Sequence, residues 1–475
     1  MPSKTQKSRR SFVKKSLMGG AAFTIVPRGV LGGTGFIPPS DTLYIAGIGV
    51  GGKGQSDLTS FAKHKQVKIA YLCDVDEQRA ARSVKRFSKA TYYKDYRQML
   101  DRVENDIDAV SVSTPDHSHA VQTMAAMQRG KHVYVQKPLS HDIYEARKLT
   151  EGASKYKVVT QMGNQGASSD GVRLMKEWYE DDQIGEVKEV FVWTDRPVWP
   201  QGIPWPTKQA PVPKHLDWDL WLGTAPLKPY IEKLVPFNWR GWWDYGTGAL
   251  GDMGCHLIEP AFSILGLDYP TAVQASVGSV YADAFRRGYF PESCPPSSHV
   301  IFDFSVKKKT IKLHWMDGGI QPMRPEELGP NETMGDGGNG MLIIGSKGKM
   351  MCGTYGANPQ LLPTNKTQQV KVTAKYDRVP EGHYLQWVNA CLAGYGNATC
   401  SSDFSIAGKL TETILMGNLA IRSHDIRTPS NNNNFNYPGR NIKLLWDGQR
   451  MEITNFKDAN AFVQRTYRDG WKLEG

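Results

Sequence analysis

The first third of this 475-residue chain predicts an α/β fold, a doubly wound parallel sheet of the Rossmann type. Short apolar runs alternate with stretches that carry Ala, Leu, Lys, Arg and Glu at helical spacing. A glycine-rich turn follows the first run, and an aspartate ends the second. Polar or Gly/Pro clusters follow the other runs, and in a parallel sheet such clusters meet beyond the carboxyl ends of the strands, where ligands bind.

The predicted strands are the apolar runs at residues 43–48, 67–73, 109–113, 132–136 and 158–161. Their carboxyl ends carry Asp74, the segment 114–119 (Thr-Pro-Asp-His-Ser-His), the segment 136–138 (Gln-Lys-Pro) and the segment 163–165 (Gly-Asn-Gln). Polar groups at successive strand ends indicate a site more strongly than any one motif. The functional residues are therefore expected at this edge of the sheet.

The turn after the first strand carries Gly49, Gly51 and Gly54 in the spacing of a dinucleotide-binding loop. The first glycine allows a tight turn, the second lets backbone N–H groups approach a pyrophosphate, and the third lets the helix pack on the strand. Asp74 follows about twenty residues later, where its carboxylate can accept hydrogen bonds from both ribose hydroxyls of adenosine. A frame that starts at Gly47 also fits, but the later frame leaves a full strand before the turn.

The segment ahead of this strand is expected to be an export signal. Residues 8–15 (Ser-Arg-Arg-Ser-Phe-Val-Lys-Lys) form a twin-arginine signature, and the weakly apolar run 16–26 after them is too short to span a bilayer stably. A basic tail without a targeting role is the alternative, and the apolar run argues against it. We expect an exported, periplasmic protein in which residues 1–40 are signal and linker. Because no nicotinamide pool waits outside the cytoplasm, export also implies a tightly held cofactor.

Charge and cysteine content exclude several other classes of protein. Seven Lys and Arg residues and no acid lie in the first 35 positions, so the rest of the chain carries +4 of the formal net charge of +11. That remainder shows no basic stripe typical of nucleic-acid binding. The six cysteines are scattered without a CxxC pair, so buried thiols are expected, with one disulfide as an alternative in an oxidising compartment. No segment after the signal is predicted to cross a membrane.

The order of the motifs resembles the glucose-fructose oxidoreductase / inositol dehydrogenase (Gfo/Idh/MocA) family. The matching motifs are the glycine loop, Asp74, the segment 114–119, the segment 130–139 (Gly-Lys-His-Val-Tyr-Val-Gln-Lys-Pro-Leu) and the segment 251–256 (Gly-Asp-Met-Gly-Cys-His). The resemblance implies an NAD(P)-binding Rossmann domain over 41–165. It also implies an α+β domain over 166–428 with a large, open, mainly antiparallel sheet whose outer face makes a homo-oligomer. Residues 429–475 are expected to be a C-terminal extension that folds back over the first domain or trails loosely.

Oxidation of a sugar carbinol needs a base for the hydroxyl proton, a cation for the developing alkoxide and a nicotinamide to receive the hydride. Lys137, at a strand end and before a proline, is the best candidate cation. Asp252 and His256 are four residues apart and share one face of a predicted helix. By resemblance to the family, His256 is the proton acceptor and Asp252 orients the substrate or the histidine. These three residues are the predicted catalytic group, and the family's Lys-Pro bond is often cis.

Further cofactor contacts are predicted at the strand ends beside the glycine loop. They are Thr114, Pro115, His117, His119, Gln136, Lys137 and Gln165. His117 and His119 are expected to line the nicotinamide site, and two histidines without nearby acids do not predict a metal. The family's usual Glu-Lys-Pro triplet is Gln136-Lys137-Pro138 in this chain. Because Gln lacks a carboxylate, this departure predicts a less stabilised Lys137 ammonium that shares proton transfer with His256.

A tryptophan-rich segment extends from Trp193 to Tyr245. Sugar C–H faces pack on indole rings, so the segment predicts a pyranose platform, and packing of the segment on itself is the alternative for any single ring. The predicted substrate contacts are Asn164, Arg240, Asp244 and Tyr245, and the last three lie just before the Asp252/His256 helix.

The sequence thus predicts an NAD(P)-dependent oxidoreductase for a sugar, glycoside or polyol hydroxyl, with a pyranoside 3-dehydrogenase as the first choice. The alternatives are a sugar–sugar oxidoreductase, a glycoside-cleaving enzyme that oxidises its substrate transiently, and a catalytically inactive nucleotide- or sugar-binding protein. The Asp74 charge should repel a 2′-phosphate, which favours NAD, whereas Arg79 could compensate for it in NADP.

Overall fold

Two sheets organise the molecule, as a computed structural model of the chain shows. It describes Pro38, residues 41–431 and residues 434–474, so the predicted twin-arginine signature at 8–15 lies outside the described residues. A six-stranded parallel sheet comes first, and a nine-stranded, mostly antiparallel sheet follows it. This arrangement confirms the predicted fold class.

The first sheet has the strand order β3-β2-β1-β4-β5-β6, and each neighbouring pair is parallel. Helices connect the strands, as in doubly wound folds. In chain order the elements are β1 Leu43–Ile48, α1 Lys53–Phe61, β2 Val67–Cys73, α2 Glu77–Arg86, β3 Thr91–Tyr93, α3 Tyr96–Val103, β4 Ala109–Val112, α4 His119–Gln128, β5 His132–Val135, α5 Ile143–Tyr156 and β6 Thr160–Met162.

The predicted strands 43–48 and 67–73 match β1 and β2 residue for residue. Strands β4 and β5 each end one residue before the predicted runs 109–113 and 132–136 do. Strand β6 begins at Thr160 rather than at residue 158. Strand β3 was not predicted, because an edge strand of three residues carries no apolar run. The predicted boundary at residue 165 falls between β6 and the next helix.

The second sheet has the order β15-β14-β13-β7-β12-β11-β8-β18-β19, and β7 with β12 is its parallel pair. Along the strand Ser298–Val306 (β11), most side chains on one face are buried and most of those on the other are half-buried. The predicted homo-oligomer interface on the outer face of this sheet stays a prediction. The remaining elements are α6 Asp170–Glu180, β7 Val187–Trp193, α7 Trp218–Leu222, α8 Gly248–Leu257, α9 Glu259–Leu265, β8 Ala272–Val277, β9 Tyr281–Asp283, β10 Arg286–Arg287, β11 Ser298–Val306, β12 Lys309–Met316, β13 Gly340–Gly345, β14 Lys349–Cys352, β15 Gln360–Leu362, α10 Lys366–Gln369, α11 Gly382–Ala393, α12 Phe404–Ser423, β16 Thr428–Pro429, β17 Phe435–Asn436, β18 Leu444–Asp447 and β19 Glu452–Ile453.

Helices α11 and α12, from the C-terminal part of the chain, pack against elements of both domains. Trp387 and Val388 of α11 pack with Leu43 and Ile45 of β1, and α12 packs against both α5 and α8. Buried apolar residues of both sheets consequently form one continuous core. The described residues after 429 pack on both domains: β18 pairs with β8 in the second sheet, next to its edge strand β19, and Arg465 contacts Glu145 of the first domain. This packing fixes α8 and the C-terminal residues relative to the strand ends of the first sheet.

Candidate active site

A cavity of about 470 Å³ lies at the carboxyl ends of the first sheet, between those strands and helix α8. Many of the predicted site residues meet there although they are far apart in the chain. Those that line it are Gly49, Gly51, Asp74, Thr114, Pro115, Gln136, Lys137, Gln165, Arg240, Asp252 and His256. The predicted site residues Gly54, His117, His119, Asn164, Asp244 and Tyr245 are not among its lining residues.

The glycine loop is shaped by steric limits at two of its glycines. Gly49 has a φ of 75°, and its N–H donates to the Cys73 carbonyl oxygen at 2.8 Å. A Cβ on Gly54 would lie 1.8 Å from the Gly49 carbonyl oxygen, so only glycine lets α1 pack this close to the loop. No side chain caps the first turn of α1. A helix start of this kind is suited to binding phosphate groups.

Asp74 closes the loop from the end of β2. Its Oδ2 accepts hydrogen bonds from the backbone N–H groups of Val50 at 2.9 Å and Gly51 at 3.0 Å, and its Oδ1 accepts one from Asp76 N–H at 3.0 Å. Burial raises the pKa of Asp74 to about 6, although these N–H donors act in the opposite direction. The carboxylate is therefore the main form at neutral pH and retains lone pairs for further donors.

Lys137, Asp252 and Arg240 form a charge cluster on the α8 side of the cavity. The Lys137 ammonium lies 2.6 Å from Asp252 Oδ1 and donates to the Asp252 carbonyl oxygen at 2.8 Å. Arg240 Nε donates to the same Oδ1 at 3.1 Å. Burial alone would raise the pKa of Asp252, but the Lys137 and Arg240 charges outweigh it and hold that pKa below its ordinary value. Asp252 thus stays ionised and fixes the position of the lysine, whose bond to Pro138 is cis.

His256 follows Asp252 by one helical turn and lines the same cavity. Burial, helped by the Lys137 charge, lowers the pKa of His256 to about 3, although the Asp252 charge acts in the opposite direction. The imidazole is neutral at neutral pH, the form that can accept a proton. Its Nδ1 makes no hydrogen bond with the described residues, and the Tyr355 ring stands edge-on to it with 4.7 Å between ring centroids.

Gln136 does not leave Lys137 without a carboxylate. The Gln136 amide donates to Asp57 Oδ2 at 2.8 Å, away from Lys137, whose acid partner is Asp252 on another helix. The prediction that this Gln leaves the Lys137 ammonium less stabilised is therefore corrected, because Asp252 supplies the carboxylate. Asp57 is fully buried, accepts a hydrogen bond from Ser113 at 2.9 Å and pairs with Lys53. Lys53 lines the cavity, and sequence reasoning missed it because the dinucleotide-binding motif specifies only its glycines.

His117 and His119 hold the backbone together behind the cavity. The His117 ring nitrogens lie 2.9 Å from the Trp221 carbonyl oxygen and 3.3 Å from that of Tyr245. Those of His119 each lie 2.7 Å from a carbonyl oxygen, one of Pro138 and one of Thr114. Both rings are completely buried, so the structure places neither at the predicted nicotinamide contact. The carbonyl partners explain why each histidine ring is buried here, because each ring lies between two segments of backbone.

The predicted substrate residues separate into two groups. Arg240 lines the cavity, whereas Asp244 forms an ion pair with Lys228 at 2.6 Å and Tyr245 is fully buried. Asn164 is buried, and its amide atoms have no hydrogen-bond partner among the described residues. Of these four predicted contacts, the structure brings only Arg240 to Lys137, Asp252 and His256.

The tryptophans divide in the same way. Three of them, Trp199, Trp221 and Trp239, line the cavity. Trp205, Trp218 and Trp242 instead pack in the core of their own segment. Trp193 is the last residue of β7 and is buried in a core of the second sheet, and Trp243 is part of the main core. Packing in this core or in the other cores therefore accounts for five of the eight rings that the sequence offered as a platform.

Several aromatic residues of the cavity were missed, among them Tyr355 and Trp471. Tyr355 has a φ of 65° and reaches His256 from a short turn after β14. Trp471 comes from the C-terminal residues and lines the cavity together with Asp95 and Tyr96. No sequence signal marks either residue, since both lie far along the chain from the residues they face.

The described residues also bear on metals, membranes and thiols. Within the described part of the chain no His, Cys, Asp and Glu group of metal-binding size is found. Across the same residues no helix is both long and apolar enough to cross a membrane. All six cysteines are free and buried.

Two protein-family models match the chain, one in each domain. Residues 43–164 match the Gfo/Idh/MocA model described as an oxidoreductase family with an NAD-binding Rossmann fold. Residues 193–286 match the model of the same family's C-terminal alpha/beta domain. The first model covers the glycine loop, Asp74 and Lys137, and the second covers Arg240, Asp252 and His256.

Individual relatives are more distant. Levoglucosan dehydrogenase of Pseudarthrobacter phenanthrenivorans is 24% identical over 195 residues, 41% of this chain and 42% of that protein. Alpha-N-acetylgalactosaminidase of Shewanella oneidensis is 31% identical over 127 residues, 25% of this chain and 27% of that protein. The chain thus matches less than half the length of either relative. A solved structure of levoglucosan dehydrogenase with NADH and levoglucosan has a TM-score of 0.54 at 17% identity, covering 81% of this chain and 98% of that one, which shows a shared fold.

Proposed function

Because the chain belongs to the Gfo/Idh/MocA oxidoreductase family, we propose that it is an NAD-dependent enzyme that oxidises a secondary hydroxyl of a sugar, glycoside or polyol. The first choice of substrate is a pyranoside oxidised at its 3-hydroxyl, with the cofactor held tightly between turnovers. One observation carries the proposal: the glycine loop and Asp74 share a cavity with an ion-paired lysine, Lys137, and a neutral imidazole, His256.

The residues at the strand ends fit NAD. Glycines without room for a Cβ, an uncapped helix start and the half-buried Asp74 supply sites for a pyrophosphate and an adenosine ribose. When bound, NAD would supply the hydride acceptor. The protein's own residues then have to bind the sugar, hold the alkoxide charge and take up the hydroxyl proton.

Each of these tasks has a suitable side chain. Neutral His256 is the acceptor for the hydroxyl proton, and the Lys137 ammonium, fixed by Asp252, stabilises the developing alkoxide. The Arg240 guanidinium lies 4.4 Å from the Trp239 ring centroid and 4.8 Å from that of Phe237, both of which line the cavity. We assign this aromatic wall to the apolar face of the sugar.

The test is to purify the chain without residues 1–40, release any bound nucleotide with acid and identify it. The nucleotide-loaded protein is then mixed with a panel of pyranosides, polyols and free sugars while the absorbance of reduced nicotinamide is followed. We expect NAD in the protein and its reduction by at least one pyranoside. Protein that binds no dinucleotide at all would contradict the proposal.

A glycoside-cleaving reaction through transient oxidation is the second candidate, and the match to an alpha-N-acetylgalactosaminidase favours it. In that reaction a ketone formed at C3 would acidify the neighbouring C–H, the aglycone would leave by elimination, water would add, and the hydride would return to the sugar. Glycoside cleavage without net accumulation of reduced nicotinamide, with solvent deuterium incorporated beside the oxidised carbon, would select this candidate over net dehydrogenation.

NAD rather than NADP is the expected cofactor because of the Asp74 charge. Asp74→Asn should weaken NAD binding to nucleotide-free protein on the order of tenfold, the value of one hydrogen bond to a charged group, and reduce the preference over NADP. In the wild type, NAD affinity should also fall as the pH drops below about 6, because the raised pKa leaves Asp74 protonated there.

Titration calorimetry across pH measures both effects. Asp101→Asn is the control, since Asp101 is an exposed acid of the same domain that pairs with Arg129 just after α4. An Asp74→Asn protein with wild-type NAD affinity and an unchanged NAD/NADP ratio would remove Asp74 from cofactor recognition.

We propose separately that the protein is exported by the twin-arginine route. This proposal rests on the signature at residues 8–15, which lies outside the described residues. Replacing Arg9 and Arg10 with lysine should leave the full-length chain in the cytoplasm of a bacterium with a twin-arginine system, while the wild type reaches the periplasm. Cell fractionation followed by immunoblotting measures this. Equal periplasmic amounts of both proteins would contradict the proposal.

A further inference from the structure

Two distant segments of the chain meet at the adenosine end of the cavity, which is lined by Asp74, Val75, Asp76, Asp95 and Tyr96. One segment, 215–224, belongs to the tryptophan-rich insertion. The other, 465–471, belongs to the C-terminal residues. Each segment contributes side chains to the cavity wall, namely Leu216, Leu220 and Trp221 from the insertion and Trp471 from the C-terminus.

The insertion segment is bound to the residues just after Asp74. Glu77 N–H donates to the His215 carbonyl oxygen at 3.0 Å, and Asp217 N–H donates to the Val75 carbonyl oxygen at 2.9 Å. The His215 ring nitrogen Nδ1 also lies 2.9 Å from Asp76 Oδ1. These contacts form a short antiparallel bridge, which places the insertion directly beside the acid expected to bind the adenosine ribose.

The C-terminal segment is held by Arg465. Its guanidinium donates to Glu145 Oε1 at 2.7 and 3.0 Å and to the His117 carbonyl oxygen at 2.5 Å. Glu145 is almost completely buried, so this ion pair is shielded from solvent, and breaking it would leave a buried charge without a partner.

Arg468 then joins the two segments to each other. It donates from Nε to the Gly223 carbonyl oxygen at 2.5 Å and from Nη1 to Asp219 Oδ1 at 2.6 Å. Both acceptors belong to or directly follow α7 of the insertion. The C-terminal segment therefore ties down the insertion segment as well as crossing the first domain.

Trp471 is the C-terminal side chain that enters the cavity wall. Its ring centroid lies 6.4 Å from that of Tyr96 at an interplanar angle of 35°, and the Arg97 guanidinium lies 4.6 Å from the indole. These contacts hold the indole beside α3, next to the strand whose Tyr93 carbonyl oxygen accepts the Asp74 N–H. An indole held at this position is suited to stacking on a purine ring.

We propose that residues 215–224 and 465–471 form a two-part clasp over the adenosine half of the cofactor, in which Trp471 contacts the adenine and slows release of the nucleotide. The clasp rests on the proposed NAD-dependent function and adds to it the residues that keep the cofactor bound. It also accounts for His117, which the reaction does not use: its carbonyl oxygen receives Arg465 and its ring faces the Trp221 carbonyl oxygen.

The test uses the full mature chain loaded with NADH. Nucleotide release is followed by the loss of reduced-nicotinamide fluorescence after mixing with excess NAD, and the nucleotide content of the purified protein is measured separately. Trp471→Ala should raise the release rate on the order of tenfold, the size expected for loss of one base–aromatic stacking contact, whereas Trp471→Phe should keep a rate close to the wild type.

Two further variants separate retention of the cofactor from folding. Arg468→Ala, which removes the side-chain link between the segments at a residue outside the cavity lining, should also raise the release rate several-fold. Lys472→Ala changes an exposed neighbour of Trp471 and should release NADH at the wild-type rate. If Trp471→Ala does not fold, Arg468→Ala alone decides the result.

The outcomes distinguish this inference from the proposed function. Wild-type NADH release in both Trp471→Ala and Arg468→Ala would overturn the clasp and leave the NAD-dependent function standing. A wild-type chain that holds no dinucleotide would overturn the function and the clasp together. Faster release in both variants, with wild-type release from Lys472→Ala, supports the clasp.

Discussion

Lys137→Met is expected to lower kcat roughly 100- to 1,000-fold, the usual effect of removing one group that stabilises charge in a transition state. The Lys137 ammonium is the only cation within hydrogen-bond distance of Asp252 besides Arg240 among the described residues, and it lines the same cavity as His256. Methionine keeps much of the length of the side chain and removes the charge. Any loss of NAD content should be small beside the loss of kcat, because the glycine loop and Asp74 are intact.

The chain offers a close control in Lys312→Met. Asp303 is paired with Lys312 at 2.9 Å and with Lys443 at 2.7 Å, so removing Lys312 leaves it one cation, just as removing Lys137 leaves Asp252 with Arg240. Lys312 lies on the second sheet, outside the cavity lining. Stopped-flow reduction of bound NAD should be slow in Lys137→Met alone. Equal rates in the two variants would remove Lys137 from the catalytic group.

His256→Asn is expected to lower kcat by roughly 100- to 10,000-fold, the range measured for loss of a general base. Asparagine has a similar shape but cannot take up the hydroxyl proton. The pH profile carries independent information. Because burial lowers the pKa of His256 to about 3, the imidazole is neutral above that pH, and wild-type kcat should show no acid limb near 6.5 from this residue.

His132→Asn is the matched control for this prediction. Burial also lowers the pKa of His132, to about 4, and its Nδ1 accepts a hydrogen bond from Val159 N–H at 3.0 Å, which an asparagine oxygen can replace. His132 lies on β5 and outside the cavity lining. A His256→Asn protein that turns over at the rate of His132→Asn would show that another group accepts the proton.

The part of the fold that could be predicted is the part set by local pattern. Strands β1 and β2 are apolar runs ended by a glycine turn and by Asp74, and their bounds follow directly from the residues. The rule that ligands bind at the carboxyl ends of parallel strands then places the cavity without further information. Lys137 and the Asp252/His256 pair were found because they lie at such an end or on one helical face that the family resemblance brings to it.

The positions that could not be predicted depend on partners far along the chain. The ring of His117 faces the carbonyl oxygen of Trp221, 104 residues later, and Arg465 reaches Glu145 across 320 residues. A strand-end histidine can point into a cavity or toward such a carbonyl oxygen, and the residues next to it in the sequence do not distinguish the two orientations. For the same reason Gln136 indicated a missing carboxylate, although Asp252 provides one from a separate helix.

Transfer of a hydride from the sugar carbon to NAD in this cavity is the central claim. The direct measurement is a single turnover of the NAD-loaded protein with a methyl pyranoside that carries deuterium at C3, quenched with cold organic solvent at neutral pH before the nucleotide is analysed by mass spectrometry. We expect deuterium in the reduced nucleotide of the wild type and almost none in Lys137→Met at the same reaction time. Nucleotide that stays oxidised across a panel of pyranosides labelled in the same way would contradict hydride transfer to NAD. Nucleotide that is reduced without deuterium would contradict oxidation at C3.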